Sequence, residues 1–261
     1  MDLDSFFQLP TYSLFVIIFF LIIVCNQLGY RYKKKQIRKH PGEIQESMGS
    51  IEGAMLGVTS LLLGFSFSVA VSKYEVRRQL TVEEANHIGT AILQCDLFPD
   101  SIRVPLRADF KEYVEVRIAY YEARHDEDLV MQELRKSEVI SGRIWKRVAG
   151  HSSNPDFRVS ILQMVPNLNE MIDIAVTRDA MRITKVPPLI LWTLVVFVLS
   201  AAFLLGTDYK GNKRNIMLLC GYALVMSMTM NLINELSHPR QGLINLDLVE
   251  MKMKDLRNLF E

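Results

Sequence analysis

Three Glu-x-x-His pairs stand in this sequence: Glu84/His87, Glu122/His125 and Glu235/His238. Two such pairs on facing helices, with two more carboxylates, can hold a di-iron centre. Here His238 precedes Pro239, and the three pairs are dispersed along the chain. No metal centre is expected from them. The sequence carries no His-Glu-x-x-His, no Cys-x-x-Cys, no Gly-x-Ser-x-Gly and no phosphate-binding loop. Its three cysteines, Cys25, Cys95 and Cys220, form no disulfide framework, and two lie inside apolar runs, where they act as small hydrophobes. The residue types predict neither an enzyme nor a cofactor.

The other constellation is built from small residues. Gly49, Gly53, Gly57, Ser60, Gly64, Ser68 and Ser72 recur at three- and four-residue steps, which places them on one stripe of a helix. Glycine costs about 1 kcal/mol in a water-exposed helix. In a membrane it lets neighbouring backbones approach closely. One reading is a helix-packing seam. The sharper reading is a helix set around the axis of an oligomer, where small and apolar side chains fix a pore radius and a hydrophobic constriction gates by dewetting. Glu52 sits at the mouth of this helix, either ringing a vestibule or marking an interface.

What must position that stripe is legible from charge spacing. The 261 residues are 49% hydrophobic and 23% charged, with a net charge of +1. Yet Ser5–Tyr30 (26 residues), Gly53–Ser72 (20), Val186–Thr207 (22) and Asn215–Asn234 (20) carry no charge at all. About 20 apolar residues suffice for a helix to cross a hydrocarbon core. The first run is no cleaved signal: its N-terminus is acidic (Asp2, Asp4) and it ends in the basic segment Arg31–Lys39. No ionisable residue lies inside any run, which argues against an ion-coupled transporter. Between residues 73 and 186 stand 17 Lys/Arg and 18 Asp/Glu, so no basic patch points to nucleic acid.

The expected architecture is an all-α integral membrane protein with four transmembrane helices. Residues 1–72 form a first hairpin, with spans at about 9–30 and 51–72. Residues 73–186 form a helical soluble domain into which the second and third spans extend. Residues 187–235 form a second hairpin, with spans at about 188–207 and 215–234. Residues 236–261 form a tail. Within the soluble part, Leu106, Phe110, Tyr113, Val114, Arg117 and Tyr121 share one helical face, and Leu162, Val165, Leu168, Ile172 and Ala175 another. Pro99 begins a helix, His151–Pro155 is a turn, and Pro187-Pro188 opens the third span. Asn has poor helix propensity. One reading is a polar cluster of Glu84, Asn86 and Thr90, with Glu84 paired to Arg240 of the tail; the other is plain surface polarity. In the last span, Ser227, Thr229, Asn231 and Asn234 can hydrogen-bond across helices. Leu248, Met251, Leu256 and Leu259 or Phe260 make the tail a short amphipathic helix, on the membrane surface or on a neighbouring subunit.

Six basic residues between Arg31 and Lys39 set this segment in the cytoplasm by the positive-inside rule. With four crossings, the N-terminus and the soluble domain then lie outside the cytoplasm. Lys73, Arg77 and Arg78, with Arg178, Arg182 and Lys185, oppose this with a similar tally at the other side.

Gly57–Tyr74 resembles the pore-lining helix of bestrophin anion channels, with a Leu-Gly-Phe core (Leu63-Gly64-Phe65), an aliphatic run and a basic-aromatic pair (Lys73-Tyr74). Glu83-Glu84-Ala85-Asn86-His87-Ile88-Gly89-Thr90 is similar to the Glu-Ala-Asn-x-hydrophobic-Gly signature of the bestrophin-like domain family of bacterial membrane proteins, and Leu232–Gly242 to its closing stretch. The resemblance implies a homo-oligomeric ion channel, with a pentamer as one form of the ring, passing anions such as chloride. Gly57, Leu61 and Phe65 would take the neck positions, with Gly64, Ser68 and Glu52 also lining the path. Gly57 departs from the bulky residue expected there. No counterpart of the calcium-binding acidic cluster of animal bestrophins stands in this sequence. Bestrophins keep their soluble domain in the cytoplasm, opposite to the charge count. The alternative is a non-conducting membrane-anchored sensor or scaffold acting through its helical domain. Expected partners are further copies of the chain, membrane lipids and permeant anions.

Overall fold

The computed structural model describes residues 6–7, 9–39, 49–123, 126–184, 186–207, 216–237 and 247–261. Among these residues there is no strand. The chain forms α1 (Thr11–Lys39), α2 (Gly49–Gln94), α3 (Asp100–Glu122), α4 (Glu127–Ala149), α5 (Arg158–Ile183), α6 (Pro188–Thr207), α7 (Ile216–Ser237) and α8 (Asp247–Asp255). Single 3-10 turns occupy Cys95–Leu97, Pro155–Phe157 and Leu256–Phe260. Four helices, within α1, α2, α6 and α7, are long and apolar enough to cross a membrane. The protein is an all-α integral membrane protein.

The chain divides into two compact units, one from Met1–Tyr74 and Val186–Ile244, the other from Glu75–Lys185 and Asn245–Glu261. The two expected hairpins thus form one body, and the tail helix belongs to the other. The boundary falls inside α2, whose 46 residues run without a break. At 1.5 Å per residue that is about 69 Å, more than twice a hydrocarbon core. On the third-span side the helical path is interrupted. Thr184 is extended (ψ 93°), and the helix restarts at Pro188. Two consecutive prolines lack N–H donors and push the preceding residue out of the α region.

In the first unit, α1 packs on α6 and α7 through Leu14, Ile18 and Ile22 against Leu191, Leu194, Val198 and Ile233. Two glycines set the α1–α6 distance. A Cβ on Gly29 would stand 2.1 Å from the Phe203 carbonyl oxygen, and one on Gly206 2.2 Å from that of Asn26. Asn26 Nδ2 donates to the Ala202 carbonyl at 3.0 Å across the same crossing. Asn234 Nδ2 donates to the Phe7 carbonyl at 3.1 Å. The hydroxyls behave differently from the expectation for the last span. Ser227 donates to Ala223 O at 2.7 Å and Thr229 to Val225 O at 2.8 Å, each within its own helix. A β-hydroxyl reaches the carbonyl one turn back more readily than a neighbouring helix.

In the second unit the predicted face of α3 is buried, from Leu106 to Tyr121. The α5 face is rotated from the expected one. Met164, Leu168, Met171 and Ile174 are buried, and Leu162 is exposed. The two methionines fill the core in place of the branched residues expected there. Asp126 caps α4 by accepting from the Leu129 amide at 3.0 Å. Arg77 closes the other end of α5, donating to the carbonyls of Met181 (3.3 Å) and Thr184 (2.8 Å). Burial holds its guanidinium below the usual arginine range.

The tail helix and its final turn lie on α3 and α2 of this unit. Met253 and Leu256 are buried in its core, and Arg257 grips Glu115 through two bonds of 2.8 and 2.6 Å. Lys254 pairs with Glu122 at 2.6 Å. The amphipathic face of the tail therefore packs on its own chain, where a membrane surface or a neighbouring subunit was expected. The apolar residues of this short helix pack beside Gly89, at which a Cβ would meet Leu256 at 3.2 Å.

Candidate functional site

Two arrangements stand out, one in each unit. The first is the face of α2 within residues 49–72. At about 100° per residue, Glu52, Thr59, Leu63, Ser66 and Ala70 fall within one narrow arc, and all five are buried. Gly53, Gly57, Gly64, Leu61, Phe65 and Ser68 fall on the opposite side and are exposed. At Gly53, Gly57 and Gly64 an added Cβ would meet nothing within 4 Å. The glycine edge thus packs on no helix among the described residues. Close backbone approach within the unit is carried instead by Gly29 and Gly206, which the stripe reading passed over. Two isolated glycines in separate apolar runs leave no periodic signal. Leu61 and Phe65, one turn apart, are 58% and 62% exposed. Glu52 faces inward, away from the glycine edge.

The second arrangement joins α2, α3 and α5. The Glu84 carboxylate accepts from Arg117 Nε (2.5 Å) on one oxygen. On the other it accepts from Tyr121 Oη (2.7 Å) and Arg178 Nη1 (2.5 Å). The Arg117 guanidinium lies 4.5 Å from the Tyr120 ring, and that of Arg178 4.4 Å from the Tyr121 ring. Glu84 and Arg117 are fully buried. Burial alone lowers the proton affinity of Arg117, but the facing Glu84 carboxylate, with Tyr113, more than reverses this and holds the cation charged. Desolvation pushes the neighbouring Tyr113 phenol well up, so it stays neutral. One carboxylate held by two cations and a phenol is a clamp on three helices.

The expected polar cluster is therefore divided. Asn86 and Thr90 are exposed, because two and six residues along a helix turn away from Glu84 by roughly 200° and 240°. Arg240 lies outside the described residues; among those described, Glu84 finds its cations on α3 and α5. Arg117 stood in the buried stripe of α3 but was not matched to an anion. The signal was there, since an arginine amid aromatic and aliphatic positions requires one. Among the described residues no group of acidic, histidine and cysteine side chains could hold a metal. His125 and His238 lie outside them.

An all-helical membrane protein with a charged helical unit is a class shared with many channels and receptors. The chain belongs to the bestrophin-like family, whose domain model matches residues 17–248. Among solved structures, it is similar to a bacterial bestrophin homologue from Klebsiella pneumoniae phased on zinc. The TM-score is 0.68 at 14% identity, over 93% of this chain and 98% of that one. A variant of that homologue with one tryptophan changed to alanine gives 0.69 at 14% identity, over 95% and 98%. No curated protein matches the sequence.

Proposed function

We propose that this protein is a homo-oligomeric ion channel, selective for anions, in which the glycine edge of α2 faces the axis of the ring. The observation that carries the reading is the orientation of that edge. Glycines in a membrane helix are useful where another backbone comes close. Here Gly53, Gly57 and Gly64 have open space, opposite the buried side of the helix. Further copies of the chain are the natural occupants of that space. A bundle of four crossing helices encloses no water path of its own, so conduction needs cyclic symmetry. Membership of a family related to anion channels supports the same reading. Leu61 and Phe65 form the narrow, dewetting part of the path, with Gly57, Gly64 and Ser68 setting its width.

Four crossings agree with the position of the tail. Residues 75–185 and 245–261 share one unit, so both lie on one side of the membrane. That requires an even number of crossings between them, which α6 and α7 supply. The basic segment 31–39 sets this segment in the cytoplasm and that unit outside, whereas bestrophins have theirs in the cytoplasm. Gln36→Cys, in a background lacking the three native cysteines, labelled from one side of sealed vesicles, decides between the two.

Conduction is tested in planar bilayers. Leu61→Ala and Phe65→Ala are expected to raise or deregulate the current, and unchanged currents in both remove the proposed neck. Mass in detergent comes first. A ring supports the channel, and a monomer leaves the membrane-anchored scaffold.

A further inference from the structure

Residues 31–39 hold six cations and no acid: Arg31, Lys33, Lys34, Lys35, Arg38 and Lys39. α1 continues through them as helix to Lys39. At about 100° per residue, Lys34, Arg38, Arg31, Lys35 and Lys39 fall within an arc of about 140°, and Lys33 falls on the far side. All five are exposed, and Lys33 is half-buried. Among the described residues none of the six forms an ion pair, although most other arginines of the chain do.

Five like charges on one helix face, with no ion pair among the described residues, repel one another and would destabilise a helix standing in water. The arrangement becomes favourable where a surface of opposite charge lies alongside. Its depth identifies that surface. The uncharged run ends at Tyr30, so the first cation stands where the hydrocarbon stops. Arg31 to Lys35 covers about 6 Å of helix axis, which matches a headgroup layer of roughly 5–8 Å on each side of the core. Side chains of a helix lean toward its N-terminus, here back toward the bilayer, so Arg38 and Lys39 reach down to the same layer.

We infer that the face Arg31/Lys34/Lys35/Arg38/Lys39 is a binding surface for the phosphate headgroups of anionic lipids. Arginine supplies forked donors for phosphate oxygens and lysine supplies point charges. Juxtamembrane clusters of this size attract acidic leaflets. The inference rests on α1 as a membrane helix and not on conduction, so it stands if the channel reading fails.

The test uses the purified full chain in an uncharged detergent, titrated with phosphatidylglycerol or phosphatidylcholine. Bound lipids are counted by native mass spectrometry and the unfolding temperature is followed in parallel. The wild type is expected to take up phosphatidylglycerol at least tenfold more readily than phosphatidylcholine, with a rise in unfolding temperature that high salt abolishes. The variant R31Q/K34Q/K35Q/R38Q/K39Q loses both effects, and K33Q, off the face, keeps them. R31K/R38K keeps most of the uptake. Should the five-fold variant fold poorly, R31Q/K34Q/K35Q gives the same reading. Equal uptake of the two lipids by the wild type overturns the inference, as does undiminished phosphatidylglycerol uptake by the variants. Displacement of the lipid by millimolar inorganic phosphate would assign the face to free phosphate and overturn it too.

Discussion

Glu84 on α2 and Arg117 on α3 meet at 2.5 Å with neither side chain open to solvent, and Arg178 of α5 closes on the second carboxylate oxygen. Removing one partner of such a pair strands a charge in a low dielectric, at a cost of about 3–5 kcal/mol. Glu84→Gln leaves two cations facing each other. It is expected to lower the stability of the helical unit by that amount, and Asn86→Ala, on the exposed side of the same turn, by less than about 0.5 kcal/mol. Chemical unfolding of both variants in detergent checks this. Equal stability of the two would remove the clamp.

The glycines divide into two groups with opposite predictions. Gly29→Ala and Gly206→Ala drive a methyl into backbone oxygen, at 2.1 and 2.2 Å, so both are expected to separate α1 from α6 and lower the unfolding temperature. At Gly64 an added Cβ meets nothing within 4 Å among the described residues, so Gly64→Leu projects into open space. It is expected to leave the protomer folded, by circular dichroism, while the mass in detergent falls from ring to monomer. A full-size ring formed by Gly64→Leu would turn the glycine edge toward lipid.

Gly89 is a signature residue whose use the structure supplies. Its bare Cα lets Leu256 and Leu259 of the tail seat on α2. Gly89→Leu is expected to release residues 247–261, seen as fast amide exchange confined to the tail, with α3 and α4 still protected.

Hydrogen bonds from Arg257 hold the Glu115 carboxyl below its ordinary range. A group whose pKa is depressed on folding contributes stability above its unfolded value, near 4.3, and loses it as pH falls through the folded value. Tail exchange is therefore expected to quicken below about pH 4. Arg257→Gln abolishes that dependence. The pair is exposed, so the effect stays within about 1 kcal/mol.

Burial pushes the Cys95 thiol up to about 12. The thiolate is the reacting species, so Cys95 is expected to resist alkylation at pH 8 in the folded protein and to react once the helical unit is unfolded. Mass spectrometry of peptides spanning Cys95 reads this directly.

Much of this protein is written in one dimension. Four uncharged runs, the prolines at 99 and 187–188 and the aromatic face of α3 each follow from local periodicity, because a bilayer and a helix impose length and spacing rules that act residue by residue. The glycine stripe and the basic segment 31–39 are legible for the same reason, whereas the continuation of α1 through that segment as helix is not. Contacts between distant segments are not. Glu84 finding Arg117 and Arg178, the tail docking beside Gly89, and Gly29 meeting Gly206 join residues 33 to 177 positions apart. No period records such pairings, since they depend on which helices pack together. The sequence determined that the chain enters a membrane as helices, and only tertiary packing decided which charges are buried, which glycines are filled and which edge of α2 stays open.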